Sequence, residues 1–144
     1  MIAAGIVAGG TGSRMGNTSV PKQFLDLCGK PVIIHTIQKF LDNSMIDVVA
    51  VGINPEWRDY MEKLKNQYFG ENNNIIITDG GADRNETILN IISALEKYGA
   101  TDDCIILTHD AVRPFVTDEI IVSSIKAMES FDICTAAIPA TDTI

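Results

Sequence analysis

The sequence predicts an α/β fold, with a mostly parallel sheet and helices on both of its faces. Short runs rich in Val and Ile alternate along the chain with longer amphipathic stretches, the pattern of repeated βα units. These runs are almost continuously apolar, as strands covered on both faces are. At 144 residues, 46% hydrophobic and 6% aromatic, the chain is long and apolar enough for one domain with a real core.

Strands are expected at Ile2–Ala8, Val48–Gly52, Ile75–Thr78, Cys104–Thr108 and Ile133–Ile138. Between them lie four helices. Pro31–Leu41 opens with Pro in its first turn, where the missing N–H costs nothing. Asn54–Phe69 spreads Glu, Arg and Lys round its circumference, as an outer helix does. Asn85–Tyr98 carries Ile88, Ile91, Ile92 and Leu95 as one apolar stripe. Thr117–Met128 opens with the capping chemistry of Thr117 and Glu119 and carries Ile120, Ile121 and Ile125. No repeat, linker or low-complexity segment divides the chain, so residues 1–144 read as one domain. No helix returns to cover the last strand, which predicts the N-terminal part of a longer chain.

Composition narrows the function. A net charge of −8 argues against a general nucleic-acid binder, because a phosphate backbone demands broad basic surface. No apolar run approaches the ~20 residues that span a membrane. The first strand lacks the basic start of a signal peptide, so a cytoplasmic protein is expected. Cys28, Cys104 and Cys134 form no C-x-x-C pair and suggest neither disulfides nor a zinc site. Cys104 and Cys134 sit in apolar runs and are expected to be buried and inert.

In an open parallel sheet, ligands bind beyond the carboxyl ends of the strands. Those ends carry the loops Gly9–Lys22, Asp79–Arg84, His109–Phe115 and Pro139–Thr143. Arg14, Lys22, Arg84 and Arg113 fall in them, although the chain has only 11 Lys and Arg in total. An acidic chain that gathers cations on one sheet edge is suited to a small polyanion.

The first loop runs Ala8-Gly9-Gly10-Thr11-Gly12-Ser13-Arg14-Met15-Gly16 and continues to Pro21-Lys22-Gln23. Glycines directly after a buried strand let the backbone approach a ligand and aim N–H groups at phosphate oxygens. No Gly-Lys-Ser/Thr follows, so this is not a Walker A loop. Met15 stands where a dinucleotide fingerprint needs its third glycine. In Asp79–Thr87, Gly80, Gly81 and Ala82 leave room for a flat base, and Thr87 offers a hydroxyl. A plain turn with Asp83 capping the next helix explains the same residues. In the loop His109–Phe115, Asp110 is a candidate Mg²⁺ ligand and Arg113 either its partner or a bidentate phosphate binder. A structural Asp110–Arg113 pair is the plainer alternative. His109 and His35 lack a second ligand at metal spacing and read as structural.

Together these loops resemble the 2-C-methyl-D-erythritol 4-phosphate cytidylyltransferases and the related ribitol-5-phosphate cytidylyltransferases. Carrying the resemblance are Ala8–Met15, Pro21-Lys22-Gln23-Phe24, Gly80-Gly81-Ala82-Asp83-Arg84 and His109-Asp110-Ala111-Val112-Arg113-Pro114. It implies a Rossmann-like nucleotidyltransferase fold and transfer of CMP from CTP to a polyol phosphate, with release of pyrophosphate. It makes Arg14 and Lys22 catalytic, holding the triphosphate. The nucleotide would be lined by Ala8, Gly9, Gly10, Thr11, Gly12, Gly81, Ala82, Arg84, Thr87, Asp110 and Ala111. Asp110 would hold Mg²⁺ or the nucleotide, Arg113 would support that loop on the acceptor side, and Thr143 would contact the acceptor. A homodimer through a later C-terminal arm is implied as well. Later basic residues in such chains help hold the acceptor phosphate, so these 144 residues alone are expected to bind CTP without turnover. Ala8-Gly9-Gly10 and Gly81-Ala82-Asp83-Arg84 favour ribitol 5-phosphate, giving CDP-ribitol for cell-wall teichoic acid. The alternative acceptor is the methylerythritol phosphate of isoprenoid synthesis.

Two other classes compete. An NAD-dependent dehydrogenase needs an acid at the end of its second strand, where Gly52-Ile53-Asn54 has none. A noncatalytic nucleotide-binding module has no need for Arg14, Lys22 and Asp110 together. Cys28, Ser13 and Ser19 lack an activating base, so no covalent nucleophile is expected.

Overall fold

The computed structural model describes residues 1–10 and 20–138. Its main sheet has four parallel strands, β1 (Ile2–Ala8), β4 (Val48–Ile53), β5 (Ile75–Asp79) and β6 (Ile105–Asp110), in the order β5-β4-β1-β6. The chain builds outward from β1 to β5 and then crosses back to place β6 on the other side of β1. That reversal opens a crevice beyond the carboxyl ends of β1 and β6, where such sheets hold ligands. Register lines these ends up, with Ala8 opposite Ile53, Ile53 opposite Asp79, and Val7 opposite Asp110.

Burial explains the strand composition. Every residue of β4 is buried, and β1 is nearly so, whereas edge strand β6 is only half-buried. One face packs against α1 (Val32–Leu41), α2 (Arg58–Phe69) and α4 (Asp118–Ala127) through Ile33, Ile37, Phe40, Met61, Leu64 and Ile121. The other packs against α3 (Arg84–Tyr98), whose Ile91 and Leu95 meet Ala3, Val48 and Ala50. The α/β reading with helices on both faces therefore holds.

α3 lies unusually close to the sheet. A Cβ added at Gly5 would fall 3.1 Å from Ile91, and one at Gly52 would fall 2.6 Å from Thr87 and 3.1 Å from Ile91. Ile91 is fully buried over these two glycines. Ile91→Ala should therefore cost about 2–5 kcal/mol in urea unfolding, since the rigid sheet below cannot collapse into the void.

Three expectations need correction. Pro31 does not begin the first helix. It closes an antiparallel hairpin of β2 (Asp26–Leu27) and β3 (Lys30–Pro31), and α1 starts one residue later. The hairpin turns on Cys28 and Gly29, both at positive φ (53° and 83°), as a two-residue type I′ turn requires. His35 Nε2 meets the Leu27 carbonyl at 2.7 Å, fastening the hairpin to α1, so this histidine is structural.

Ile133–Ile138 is not a strand. Its residues are exposed, Ile133 at 87% and Ile138 at 86%, and they enter no ladder. The start of this segment and β6 line a cleft of about 380 Å³ between them rather than pairing as strands. Cys134 is correspondingly exposed rather than buried. Cys104 is half-buried, and burial pushes its thiol pKa up, which leaves it protonated and inert. Among the described residues, no helix is long and apolar enough to cross a membrane.

Candidate nucleotide site

The glycine loop leaves β1 beside the turn that follows β5. The Gly80 N–H donates to the Ile53 carbonyl at 2.6 Å, and a Cβ on Gly80 would lie 3.0 Å from the Gly9 Cα. A Cβ on Gly9 would sit 2.9 Å from the Thr87 hydroxyl. Only glycines permit this approach. Between the two loops lies a cavity of about 220 Å³, lined by Gly9, Gly10, Gly81, Ala82, Arg84 and Thr87 among others. The structure thus brings together six of the expected nucleotide contacts.

Hydrogen bonds shape the cavity wall. Thr87 is 1% exposed, and its Oγ1 accepts from the Gly81 N–H at 3.0 Å and donates to the Asp83 carbonyl at 2.8 Å. Asp83 caps α3 by accepting from the Glu86 N–H at 2.8 Å, and Glu86 in turn accepts from the Ala82 N–H at 2.7 Å. Both amides of the Gly81–Ala82 pair are therefore occupied, and the Thr87 hydroxyl is spent inside the loop. The Gly81 carbonyl oxygen remains, 3.8 Å from a Cβ placed on Gly9. An acceptor in that position suits a ring bearing an exocyclic amine, such as cytosine.

Beyond the end of β6, Asp110 joins the loops on either side. One carboxylate oxygen accepts from Arg84 at the start of α3, and the other accepts from Arg113 Nε at 2.8 Å. Burial works to raise its pKa, but the Arg113 hydrogen bond and the Arg84 charge outweigh that and hold it below the usual carboxylate range. A depressed folded pKa adds stability above the unfolded value of about 3.9, and that stability is lost as pH falls through the folded pKa. Asp110→Asn should accordingly lower the melting temperature near neutrality, with the difference from the native protein shrinking in acid. Melting temperatures across acidic and neutral pH check this.

The loop after β6 is tied to the scaffold through its backbone. The Ala111 N–H donates to the Val7 carbonyl at 3.1 Å, and the Ala111 carbonyl accepts from Thr36 Oγ1 at 2.8 Å. Ala111, 2% exposed, is thus built into the scaffold behind the cleft. His109 packs its ring on Phe40 and meets the Arg113 carbonyl at 2.9 Å, again a structural histidine.

Lys22 is exposed on a 3₁₀ turn, Lys22–Phe24, whose next two residues are buried. Ala8 is buried at the end of β1. Thr11, Gly12, Arg14 and Thr143 lie outside the described residues. The sequence reading assigned no role to two participants. Arg58 reaches the sheet edge from α2 to pair with Asp79 at 2.7 Å and the Ile77 carbonyl at 3.1 Å. Gln23 donates from Nε2 to the carbonyls of Ala8 (3.0 Å) and Gly10 (3.3 Å). Its only sequence signal is its place between Lys22 and Phe24.

Among the described residues no group of three or more His, Cys, Asp or Glu gathers as a metal cage. Asp110 is a single carboxylate rather than a cage, and both of its oxygens already accept from arginines. A carboxylate offers about four lone-pair sites, and the two arginines leave some free for a cation whose other ligands are substrate oxygens.

The profile of the family described as 2-C-methyl-D-erythritol 4-phosphate cytidylyltransferase (IspD) matches residues 2–144. Ribitol-5-phosphate cytidylyltransferases from two strains of Streptococcus pneumoniae are 46% identical over 134 residues, 92% of this chain and 57% of theirs. The chain thus spans a little over half the length of these curated relatives. A solved 4-diphosphocytidyl-2C-methyl-D-erythritol synthase superposes with a TM-score of 0.79 at 26% identity, covering 99% of this chain and 62% of that one. The corresponding synthase of Anaerococcus prevotii gives 0.64 at 27% identity, covering 90% and 51%. On this match of sequence and fold, the chain belongs to the 2-C-methyl-D-erythritol 4-phosphate cytidylyltransferase family.

Proposed function

We propose that the protein transfers CMP from CTP to ribitol 5-phosphate, giving CDP-ribitol and pyrophosphate. The observation that carries this reading is the cleft itself. It sets a base-sized cavity between two glycine turns, with the Arg84–Asp110–Arg113 cluster and an exposed Lys22 on the same sheet edge. Cytosine would lie against Gly81 and Ala82, its exocyclic amine donating to the Gly81 carbonyl. The triphosphate would run along Gly9 and Gly10 toward Arg14 and Lys22.

Chemistry follows from charge. An oxygen of the acceptor phosphate attacks the α-phosphorus in line, and the bond to the pyrophosphate oxygen breaks. Both reactants are anions, so positioning and neutralisation supply nearly all the catalysis. Lys22 and Arg14 would neutralise the reacting phosphates, while Arg113 and Thr143 would face the acceptor. Mg²⁺, held by Asp110 together with triphosphate oxygens, would add further neutralisation of that charge.

Ribitol 5-phosphate is favoured as acceptor because the 46%-identical relatives bear that name. The family description and the solved synthases favour methylerythritol phosphate as the second reading. A cytoplasmic homodimer, assembled through residues outside this sequence, completes the proposal. Incubating the intact protein with CTP, Mg²⁺ and ribitol 5-phosphate should yield CDP-ribitol by mass spectrometry, and UTP should substitute poorly. Absence of the product would defeat the assignment.

A further inference from the structure

We propose that Gln23 is a positioning residue, whose buried amide couples the glycine loop to the turn that presents Lys22. This rests on reading the cleft as a CTP site. The turn Lys22–Phe24 divides its side chains sharply, with Lys22 exposed, Gln23 2% exposed and Phe24 5% exposed. Phe24 anchors the turn against aromatic rings, 5.3 Å from Trp57 and 5.0 Å edge-on from Tyr60. Lys22 therefore stands on a pedestal fixed from below, and the direction of Gln23 is fixed with it.

Both Gln23 Nε2 contacts go to one short stretch of backbone, the Ala8 and Gly10 carbonyls that bracket Gly9. An amide nitrogen carries two hydrogens, so the pair consumes its donor capacity. In a trans peptide the carbonyl and the following N–H point opposite ways, so holding the Ala8 carbonyl turns the Gly9 N–H away from Gln23. Among the described residues no other side chain hydrogen-bonds to residues 8–10. The loop that lines the nucleotide cavity and the turn that carries Lys22 thus share one link of side-chain length. A flexible alternative would leave each to find its place separately after CTP arrives, at a cost in affinity and rate.

Gln23 takes its shape from glutamine chemistry alone. Methionine fills similar volume but donates nothing. Glutamate, ionised, sets an acceptor against two acceptors.

The test uses the intact protein with the variants Gln23→Met and Gln23→Glu, read by steady-state kinetics, calorimetric CTP binding and thermal melting. Loss of the paired bonds should raise KM for CTP about tenfold in Gln23→Met and lower kcat with it. KM for the polyol phosphate should stay unchanged, and melting should stay cooperative. Gln23→Glu should bind CTP more weakly still. A folded Gln23→Met with native KM for CTP and native kcat would overturn the proposal. So would equal changes in both KM values together with a collapsed melting transition, the mark of a purely structural role. If Gln23→Met does not fold, CTP calorimetry on Gln23→Glu decides by the same criterion, and failure of both variants to fold counts as the structural outcome. Native protein that binds no CTP would instead remove the function assigned to the cleft, whereas native binding with unchanged variants removes only the role of Gln23.

Discussion

Lys22→Ala in the intact protein should lower kcat for cytidylyl transfer by about 10²–10³-fold while calorimetry still detects CTP binding. The expectation follows from where Lys22 stands. It is exposed at the sheet edge on a turn that Gln23 and Phe24 hold in place, so truncating it removes a charge and leaves the fold intact. A cation aimed at phosphates that gain charge in the transition state stabilises that state more than the bound substrate. Affinity for CTP rests also on the glycine turns and should decline less than turnover does. Equal loss of CTP binding and turnover would make Lys22 a binding residue only. An unchanged kcat would remove Lys22 from the catalytic machinery.

Gly81→Ala should weaken CTP binding by about tenfold or more, with the protein still folded. A Cβ at this position would lie 2.3 Å from Glu86 Cγ and 2.4 Å from Glu86 Cβ. The Cγ atom can swing aside, but the Cβ is fixed by the first turn of α3, so the Gly81 peptide must move. Overpacking of this kind costs about 1–3 kcal/mol. Moving Gly81 breaks its hydrogen bond to Thr87 and shifts the carbonyl assigned to cytosine. Titration calorimetry with CTP measures the affinity, and a melting curve shows that the protein remains folded. Native affinity in the variant would remove Gly81 from the cytosine wall.

The positions of the site were legible in the sequence because strand ends were. Val and Ile runs marked β1, β4, β5 and β6 to within a residue or two, and their carboxyl ends named the loops that converge on the cleft. Side-chain connections within the cleft were not legible. Arg84 and Asp110 are 26 residues apart in sequence, and only the crossover from β5 to β6 brings them together. Thr87 was expected to offer its hydroxyl outward, but the tight seat of α3 over Gly52 and Gly9 turns it inward. Gln23 was visible only as part of the Pro21-Lys22-Gln23-Phe24 motif, without a role, since a buried amide is defined by carbonyls that approach it in space.

Two errors in the fold have local causes. The hairpin turn at Cys28-Gly29 needs positive φ at both residues, and cysteine is not a residue that announces it. Ile133–Ile138 has strand-like composition, but composition states only that a segment tolerates a ladder. A partner edge must also come within reach, and beyond β6 the chain runs past a cleft instead.

Pyrophosphate release from CTP and Mg²⁺ by the intact protein, with ribitol 5-phosphate and 2-C-methyl-D-erythritol 4-phosphate compared side by side, tests the central claim most directly. Faster release with ribitol 5-phosphate is the result this account predicts. Faster release with methylerythritol phosphate would contradict the acceptor assignment, and release with neither would contradict the assignment of a cytidylyltransferase.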